Sequence, residues 1–206
     1  ENCFDWIALS FVRTKKDVKQ LEKLISKNSD FKIPIIAKIE KPEAIENMGG
    51  ILKAADGLMV ARGDLGLEIP AEEVPLKQKL LVKKAKQARK PIIIATQMME
   101  SMIDSLTPSR AEVNDVANSV MDGADAVMLS GETSVGKYPV EVVKTMGKII
   151  GGVENSPLIK VPNTLPEIKS KRVVTKAICF HACNIANELD VAAICTLTNS
   201  GYTAWQ

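Results

Sequence analysis

The chain has 206 residues, of which 46% are hydrophobic and 25% are charged, and its formal net charge is +2. This composition is typical of a globular protein with a buried core and excludes a chain that is disordered throughout. The near balance of 27 basic and 25 acidic side chains argues against a protein dedicated to nucleic acids or to membrane surfaces. No apolar run approaches the ~20 residues of a membrane-spanning helix. We therefore expect neither nucleic acid nor a membrane as a partner.

The four cysteines are too few and too scattered for a disulfide scaffold, and free thiols are typical of a reducing cytoplasm. Cys179 and Cys183 are four residues apart and share a face if they lie on a helix. A zinc site there would need two further good ligands, and His181 falls on a different face. Ordinary buried thiols are therefore the favoured interpretation.

Five short apolar segments alternate with helical patterns over the first part of the chain. Their near-continuous aliphatic character predicts strands that are buried on both faces of a parallel sheet. The segments are 4–12, 33–40, 57–62, 91–98 and 126–131. Apolar residues recur at helical spacing over 15–27, 42–54, 74–89, 109–121 and 139–153. Repeated strand–helix units predict an α/β fold built around a parallel sheet.

The pattern changes after residue 152. Residues 153–171 contain three prolines and no clear periodicity, which indicates a linker or domain boundary. A helix is predicted over 173–189 and a strand over 191–198, so the chain stops where a further helix should begin. The chain starts at Glu1 with neither a methionine nor a signal-peptide pattern, which favours a segment of a longer protein. The predicted organisation is a first domain at 1–152, a linker at 153–171 and the start of a second α/β domain at 172–206.

Polar residues appear at the point where each predicted strand ends. Parallel α/β folds place their ligands at the carboxyl ends of the strands. Any one of these residues could be a satisfied polar group at a sheet edge, but five sets in register favour a site. The sets are Ser10 and Arg13; Lys38 and Glu40; Arg62, Gly63 and Asp64; Thr96 and Gln97; and Ser130, Gly131, Glu132 and Thr133.

Lys38 and Glu40 are the most informative pair, because residues two apart on a strand share a face. An internal salt bridge is the alternative, but burying such a pair rarely adds net stability, so a functional role is favoured. Asp64 supplies a second carboxylate, and Gly63 lets a ligand approach the backbone closely. Two carboxylates, completed by water and substrate oxygens, are typical ligands of Mg²⁺. The neighbouring lysine suits phosphate or enolate charge, and Thr96 adds a hydroxyl to the same edge.

Other phosphate-handling motifs are missing from the sequence. It contains neither a P-loop nor a dinucleotide fingerprint, so metal and lysine would have to handle any phosphate. The only histidine, His181, lies outside the five units, so we do not expect a histidine acid or base. The basic run at 77–90 keeps an intact apolar face, which favours a solvated helix face over RNA or DNA binding.

At these residues the sequence resembles the pyruvate kinase family. The matching stretches are IIAKIEKPEAIEN, DGLMVARGDLGLEIP, PIIIATQMMESM, PSRAEVNDVANSVMDGADAVMLSGET and TLTNSGYTA. The resemblance implies a (β/α)₈ TIM barrel, a lid domain inserted in it and a C-terminal α/β domain. By the family's order, the five predicted strands would be barrel strands four to eight. The first three strands, the lid and most of the C-terminal domain would then lie outside these 206 residues.

The resemblance also implies a glycolytic reaction in which phosphoenolpyruvate and ADP give pyruvate and ATP. Lys38 matches the catalytic lysine that stabilises charge on the transferring phosphoryl group and the enolate. Glu40 and Asp64 match the ligands of Mg²⁺ (or Mn²⁺), and the backbone of Gly63 and Asp64 matches contacts to the substrate carboxylate. Thr96 matches a threonine near that carboxylate and the carbon that is protonated. The family's K⁺ ligands would lie in the part of the protein outside this chain.

Further resemblances concern the rim, the oligomer and an effector loop. Ser10, Arg62 and Ser130 fall in matching motifs as candidate rim or nucleotide contacts, and Arg110 matches an arginine near a subunit interface in a cytoplasmic homotetramer. A final loop resembles one that binds a sugar-phosphate effector, while a plain turn with a helix cap is the alternative. Its residues are Thr198, Asn199, Ser200, Gly201 and Thr203.

Two other hypotheses remain beside a pyruvate kinase. One is a Mg²⁺-dependent aldolase or lyase that acts through a pyruvate enolate, which would not depend on ADP. The other is a segment that acts only in folding or assembly. Because half a barrel leaves sheet edges and core uncovered, we expect the 206 residues alone to be inactive.

Overall fold

The computed structural model describes residues 4–156, 173–189 and 191–198. The chain divides into two compact units, Glu1–Pro162 and Asn163–Gln206. In the described part of the first unit, five strands pair in parallel and in chain order to form one sheet. The strands are β1 (Ile7–Leu9), β2 (Ile35–Ile39), β3 (Gly57–Ala61), β4 (Ile92–Ala95) and β5 (Ala126–Met128). Each lies inside one predicted segment, so the prediction of an α/β fold with a parallel sheet is confirmed.

Helices follow each strand, and the major ones begin close to the predicted residues. They are α1 (Lys15–Asn28), α2 (Pro42–Glu46), α3 (Met48–Ala54), α4 (Arg62–Glu68), α5 (Val74–Ala88), α6 (Arg110–Met121), α7 (Gly131–Ser134) and α8 (Pro139–Glu154). Short 3₁₀ turns lie at Ala71–Glu73 and Glu100–Ile103. The short helices α4 and α7 were not predicted, because a run of seven residues or fewer shows little periodicity.

The helix predicted over 42–54 is in fact two helices that meet at Asn47. The Asn47 backbone adopts φ −89° and ψ 11°, outside the helical range. Its side-chain amide donates a 2.9 Å hydrogen bond to the carbonyl of Glu43. Asparagine side chains compete in this way with the backbone ladder of a helix, which explains the break.

The core lies between one face of the sheet and the helices. The alternating residues Ile35, Ala37 and Ile39 of β2 are buried in this core, whereas Ile36 and Lys38 lie on the opposite face and are only half-buried. The central strand β3 is buried along its whole length, and the outer strands β1 and β5 are partly exposed. Lys38 therefore lies on the sheet face that carries no helix.

The described part of the second unit contains one helix, α9 (Val173–Glu188), which confirms the predicted helix at 173–189. The predicted strand at 191–198 is wrong: these residues are exposed and form no strand. A strand is stabilised by hydrogen bonds to a neighbouring strand, and the described residues of this unit offer none. The predicted linker at 153–171 starts within the last turns of α8, and most of it lies outside the described residues. Among the residues described, no helix has the length and apolar character needed to span a membrane.

The helices α1 and α6 each begin with a capping box, in which the N-cap residue and the third helical residue exchange hydrogen bonds. In α6 the third helical residue is Glu112. Ser109 caps α6, and Glu112 accepts hydrogen bonds from the backbone and hydroxyl groups of both Ser101 and Ser109. Partial burial acts to raise the pKa of Glu112, but these hydrogen bonds together outweigh it and lower the pKa below its usual value. Glu112 thus ties the 3₁₀ turn after β4 to the start of α6.

We predict that Glu112→Gln destabilises the protein by about 1 kcal/mol at neutral pH, the usual contribution of a helix cap. Since the folded-state pKa of Glu112 is lowered, its contribution is fully present above the unfolded-state value and is lost as pH falls through the folded-state value. Urea unfolding of wild type and variant from pH 7 to pH 3 measures this difference. The matched control is Glu141→Gln, a first-turn residue of α8 that forms an exposed ion pair with Lys144. A Glu112→Gln difference that does not shrink with falling pH would contradict the assignment.

Candidate functional site

The parallel register brings the ends of β2, β3 and β4 to one edge of the sheet. Ile39 pairs with Val60, and Ala61 pairs with Ala95. Glu40 follows β2 directly, Arg62–Glu68 begins directly after β3, and Thr96 follows β4 directly. The sequence-predicted residues of three strands are therefore neighbours at this edge, as expected for a ligand site of a parallel α/β fold.

Lys38 lies between a carboxylate and a hydroxyl. Its Nζ is 2.7 Å from Glu40 Oε1 and donates a 3.0 Å hydrogen bond to Ser10 Oγ. The Lys38 side chain is 24% exposed, so solvent or a ligand can reach the ammonium group. Glu40, directly after β2, and Ser10, directly after β1, thus hold the Lys38 ammonium group at the sheet face that carries no helix.

Glu40 is fully buried, and its two carboxylate oxygens differ in their partners. Oε2 accepts a 2.6 Å hydrogen bond from the Phe11 backbone, whose φ of 56° lies in the left-handed region. Oε1 lies 2.7 Å from the Lys38 ammonium nitrogen, its partner within the described part of the chain. A carboxylate removed from water is costly unless cations or donors compensate its charge, so this buried oxygen is suited to a cation ligand.

Asp64 contrasts with Glu40, since it is exposed. It lies in the first turn of α4, where the helix dipole favours a negative charge. Its carboxylate has no hydrogen bond or ion pair within the described part of the chain. Together with Lys38 and Glu40, it leaves one net negative charge at this edge, which favours binding of a divalent cation. The described residues contain no cluster of three or more side chains that could hold a metal ion.

Thr96 joins the end of β4 to the start of α4. Its hydroxyl accepts a 2.7 Å hydrogen bond from the Gly63 backbone and donates a 2.6 Å hydrogen bond to the Ala95 carbonyl. A Cβ atom at Gly63 would lie 3.4 Å from Thr96 Oγ1, at the limit of ordinary contact. The backbone N–H of Gly63, which we expected to contact a ligand, is therefore bonded to Thr96. Thr96 thus satisfies a free N–H group in the first turn of α4, the helix that follows the neighbouring strand β3.

Arg62 differs from the sequence-based expectation. We predicted a rim or nucleotide contact, but its side chain is buried, with 8% of the residue exposed. The guanidinium donates to the carbonyls of Thr96 and Gln97 and pairs with Asp115 at 2.7 Å. A fork of five donors can satisfy several acceptors at once, which explains why an arginine can be buried here.

The remaining predicted residues fall into three groups. Ser10 contacts Lys38 as described above. Ser130 is exposed, and its backbone donates to Glu132 Oε2, while Glu132 Oε1 accepts from the Met99 backbone. Thr198 of the predicted effector loop is exposed, and its other members, Asn199, Ser200, Gly201 and Thr203, lie outside the described residues.

Sequence reasoning missed two groups that organise this edge. Asp115 lies on α6, and in the sequence it is only a polar residue of a helical pattern. Its role as the counter-ion of Arg62 is visible only in the structure. Glu132 was noted at a strand end, but its burial and its bonds to two loops were not predicted.

The chain was compared with known proteins. The model of the pyruvate kinase barrel domain matches residues 1–143. A pyruvate kinase from Mycobacterium intracellulare is 50% identical over 97% of this chain and 41% of its own length. One from Geobacillus stearothermophilus is 52% identical over 97% of this chain and 34% of its own length. A crystal structure of a pyruvate kinase from Cryptosporidium parvum superimposes with a TM-score of 0.80 at 39% identity and covers 98% of this chain and 42% of that one.

The matches thus cover nearly all of this chain, while the chain spans between about one third and two fifths of the length of these relatives. The family model matches well over half of the chain, and the solved structure shares its fold. The chain belongs to the pyruvate kinase family.

Proposed function

We propose that this chain supplies part of the active site of a pyruvate kinase, which transfers the phosphoryl group of phosphoenolpyruvate to ADP. The observation that carries the proposal is the buried Glu40 carboxylate, which pairs at 2.7 Å with Lys38, a lysine whose side chain is partly exposed at the same sheet edge. A cation ligand and a fixed positive charge at one sheet edge suit phosphoryl transfer. Burying an ion pair rarely adds net stability, so stability alone does not explain this pair.

Glu40 and Asp64 are the proposed ligands of a divalent cation, Mg²⁺ or Mn²⁺. The Glu40 carboxylate is buried, whereas that of Asp64 is exposed and has no partner among the described residues, so water and substrate oxygens can complete the coordination. When bound, the cation would neutralise charge that develops on the phosphoryl oxygens. The K⁺ ion expected from the family would depend on residues outside this chain.

Lys38 is proposed to stabilise negative charge during the reaction. The bond between phosphorus and the enol oxygen breaks, and a terminal oxygen of ADP forms a new bond to phosphorus, which yields ATP and the pyruvate enolate. The enolate takes up a proton from solvent at its methylene carbon to give pyruvate. The Lys38 ammonium group would oppose the charge on both the phosphoryl group and the enolate oxygen, and Thr96 would line the side on which the carbon is protonated.

The complete protein is proposed to be a cytoplasmic homotetramer, with Ser10 and Ser130 on the rim and the loop at 198–203 as a candidate effector site. The assignment of β1–β5 to barrel strands four to eight is part of the same proposal. The 206 residues alone are proposed to be inactive, because β1 and β5 would be covered by the other strands of a closed barrel.

We predict that the complete protein forms pyruvate from phosphoenolpyruvate only when ADP is present, and that Lys38→Ala lowers kcat by about 10²–10³-fold, as loss of an anion-stabilising donor does. The measurement is coupled reduction of the pyruvate formed, with ATP determined separately. The matched control is Lys53→Ala, an exposed lysine of α3, which should keep wild-type activity. Pyruvate formation from a suitable substrate without ADP would instead indicate a lyase. Full activity of the isolated 206 residues would overturn the proposal that they are incomplete.

We predict that Asp64→Asn weakens Mn²⁺ binding by more than about tenfold without lowering the unfolding temperature, since Asp64 is exposed and has no partner in the described structure. Paramagnetic resonance of free Mn²⁺ in a titration measures the affinity. Glu68→Gln is the control, because Glu68 lies on the same helix and pairs with Lys41. Equal Mn²⁺ affinity in wild type and Asp64→Asn would exclude Asp64 as a ligand.

A further inference from the structure

The buried guanidinium of Arg62 forms several hydrogen bonds to the loop that follows β4. Its Nη2 atom lies 2.7 Å from the Thr96 carbonyl, 3.1 Å from the Gln97 carbonyl and 2.8 Å from Met98 Sδ. Its Nε atom adds a longer contact of 3.3 Å to the Thr96 carbonyl. These contacts concentrate on three consecutive residues, through the backbone of two and the side-chain sulfur of the third, so the Arg62 side chain is bonded to this loop.

The loop after β4 has an energetically unfavourable backbone conformation at two residues. Thr96 has φ 67° and Gln97 has φ 54°, so two consecutive residues with side chains adopt the left-handed conformation. This conformation costs roughly 1–2 kcal/mol for each such residue, and most for a β-branched one such as threonine. Strained residues persist only where their surroundings hold them. The carbonyls of both residues accept hydrogen bonds from the Arg62 guanidinium.

The same backbone determines where the Thr96 hydroxyl lies. Gly63, the neighbour of Arg62 in the chain, donates its backbone N–H to Thr96 Oγ1 at 2.7 Å. Arg62 therefore holds the carbonyl of Thr96 while Gly63 holds its hydroxyl. If the loop relaxed to an ordinary conformation, the carbonyl and the hydroxyl would both move.

Asp115 keeps the guanidinium in place. Its carboxylate contacts Arg62 Nη1 at 2.7 Å, and the side chain of Gln78 accepts a longer hydrogen bond of 3.4 Å from the same nitrogen. A buried guanidinium without a counter-ion would be strongly unfavourable. Asp115 lies on α6 and Gln78 on α5, so both helices of this edge set the direction of Arg62.

We propose that Arg62, held by Asp115, is a positioning residue that fixes the left-handed turn at Thr96 and Gln97 and thereby places the Thr96 hydroxyl in the site. This inference rests on the proposed function only in that Thr96 takes part in the reaction. The guanidinium donors of Arg62 are engaged by protein acceptors, so in this proposal Arg62 acts through Thr96.

A double-mutant cycle on the complete protein tests this route. We expect Arg62→Lys to lower kcat by about 10–100-fold, as a small misplacement near a reacting group does, with little change in KM for ADP. In a Thr96→Ala background, the same substitution should lower kcat by less than about twofold, because the group it positions is gone. Multiplicative effects in the double variant would overturn the proposal.

Matched variants separate positioning from general loss of structure. Lys79→Met breaks another ion pair between α5 and α6, that with Asp122, and should leave kcat unchanged. Asp115→Asn keeps Arg62 and should reduce kcat in the same direction but by a smaller factor. It also carries the test if Arg62→Lys does not fold, since the same cycle with Thr96→Ala applies.

Hydrogen exchange gives a readout that does not depend on activity. The Gly63 amide should exchange more than about tenfold faster in Arg62→Lys and in Thr96→Ala than in wild type, and no faster in the double variant than in Thr96→Ala. Lys79→Met should leave the rate unchanged. Unaltered protection of this amide in Arg62→Lys would overturn the proposal. If the wild type lacks kinase activity but the amide behaves as expected, the proposed function fails while the positioning role stands.

Discussion

The parallel register of β2, β3 and β4 is the constraint on which the site depends. Because Ile39 pairs with Val60 and Ala61 with Ala95, the loops after three strands leave the sheet at one edge. Alternation along β2 then directs Lys38 to the face without helices, while its neighbours are buried against them. The charges of the site are thus placed by backbone hydrogen bonds and by the period of the strand, and the side-chain contacts refine an arrangement that already exists.

Much of this could be predicted from the sequence. The inner strands β2, β3 and β4 read as apolar runs because their residues are buried or half-buried on both faces. The helices α1 and α6 begin at residues that form capping boxes. The pairing of Lys38 with Glu40 followed from their spacing on a strand. Features that depend on periodicity or on residues close in the chain are accessible in this way, and the family motifs extended them to substrates and metal ions.

The rest depends on contacts between distant parts of the chain. The break at Asn47 depends on one side-chain hydrogen bond, and the missing strand at 191–198 reflects the lack of a partner in the described residues. Arg62 was expected at the rim because it follows a strand, yet it is buried and is held by two backbone carbonyls, by Met98 and by Asp115. No local pattern indicates that Thr96 and Gln97 adopt left-handed conformations, since neither residue type favours them.

The buried carboxylate of Glu132 has a mechanical consequence. One of its oxygens is bonded to the Ser130 backbone after β5, and the other to the Met99 backbone after β4. A rigid planar group of this size allows the two loops little independent displacement. Met99 is the neighbour of Met98, whose sulfur contacts Arg62. The ends of β3, β4 and β5 are therefore joined by a continuous chain of contacts, which runs from Ser130 through Glu132, Met99 and Met98 to Arg62. A displacement of the loop after β5 therefore disturbs the contacts of Arg62.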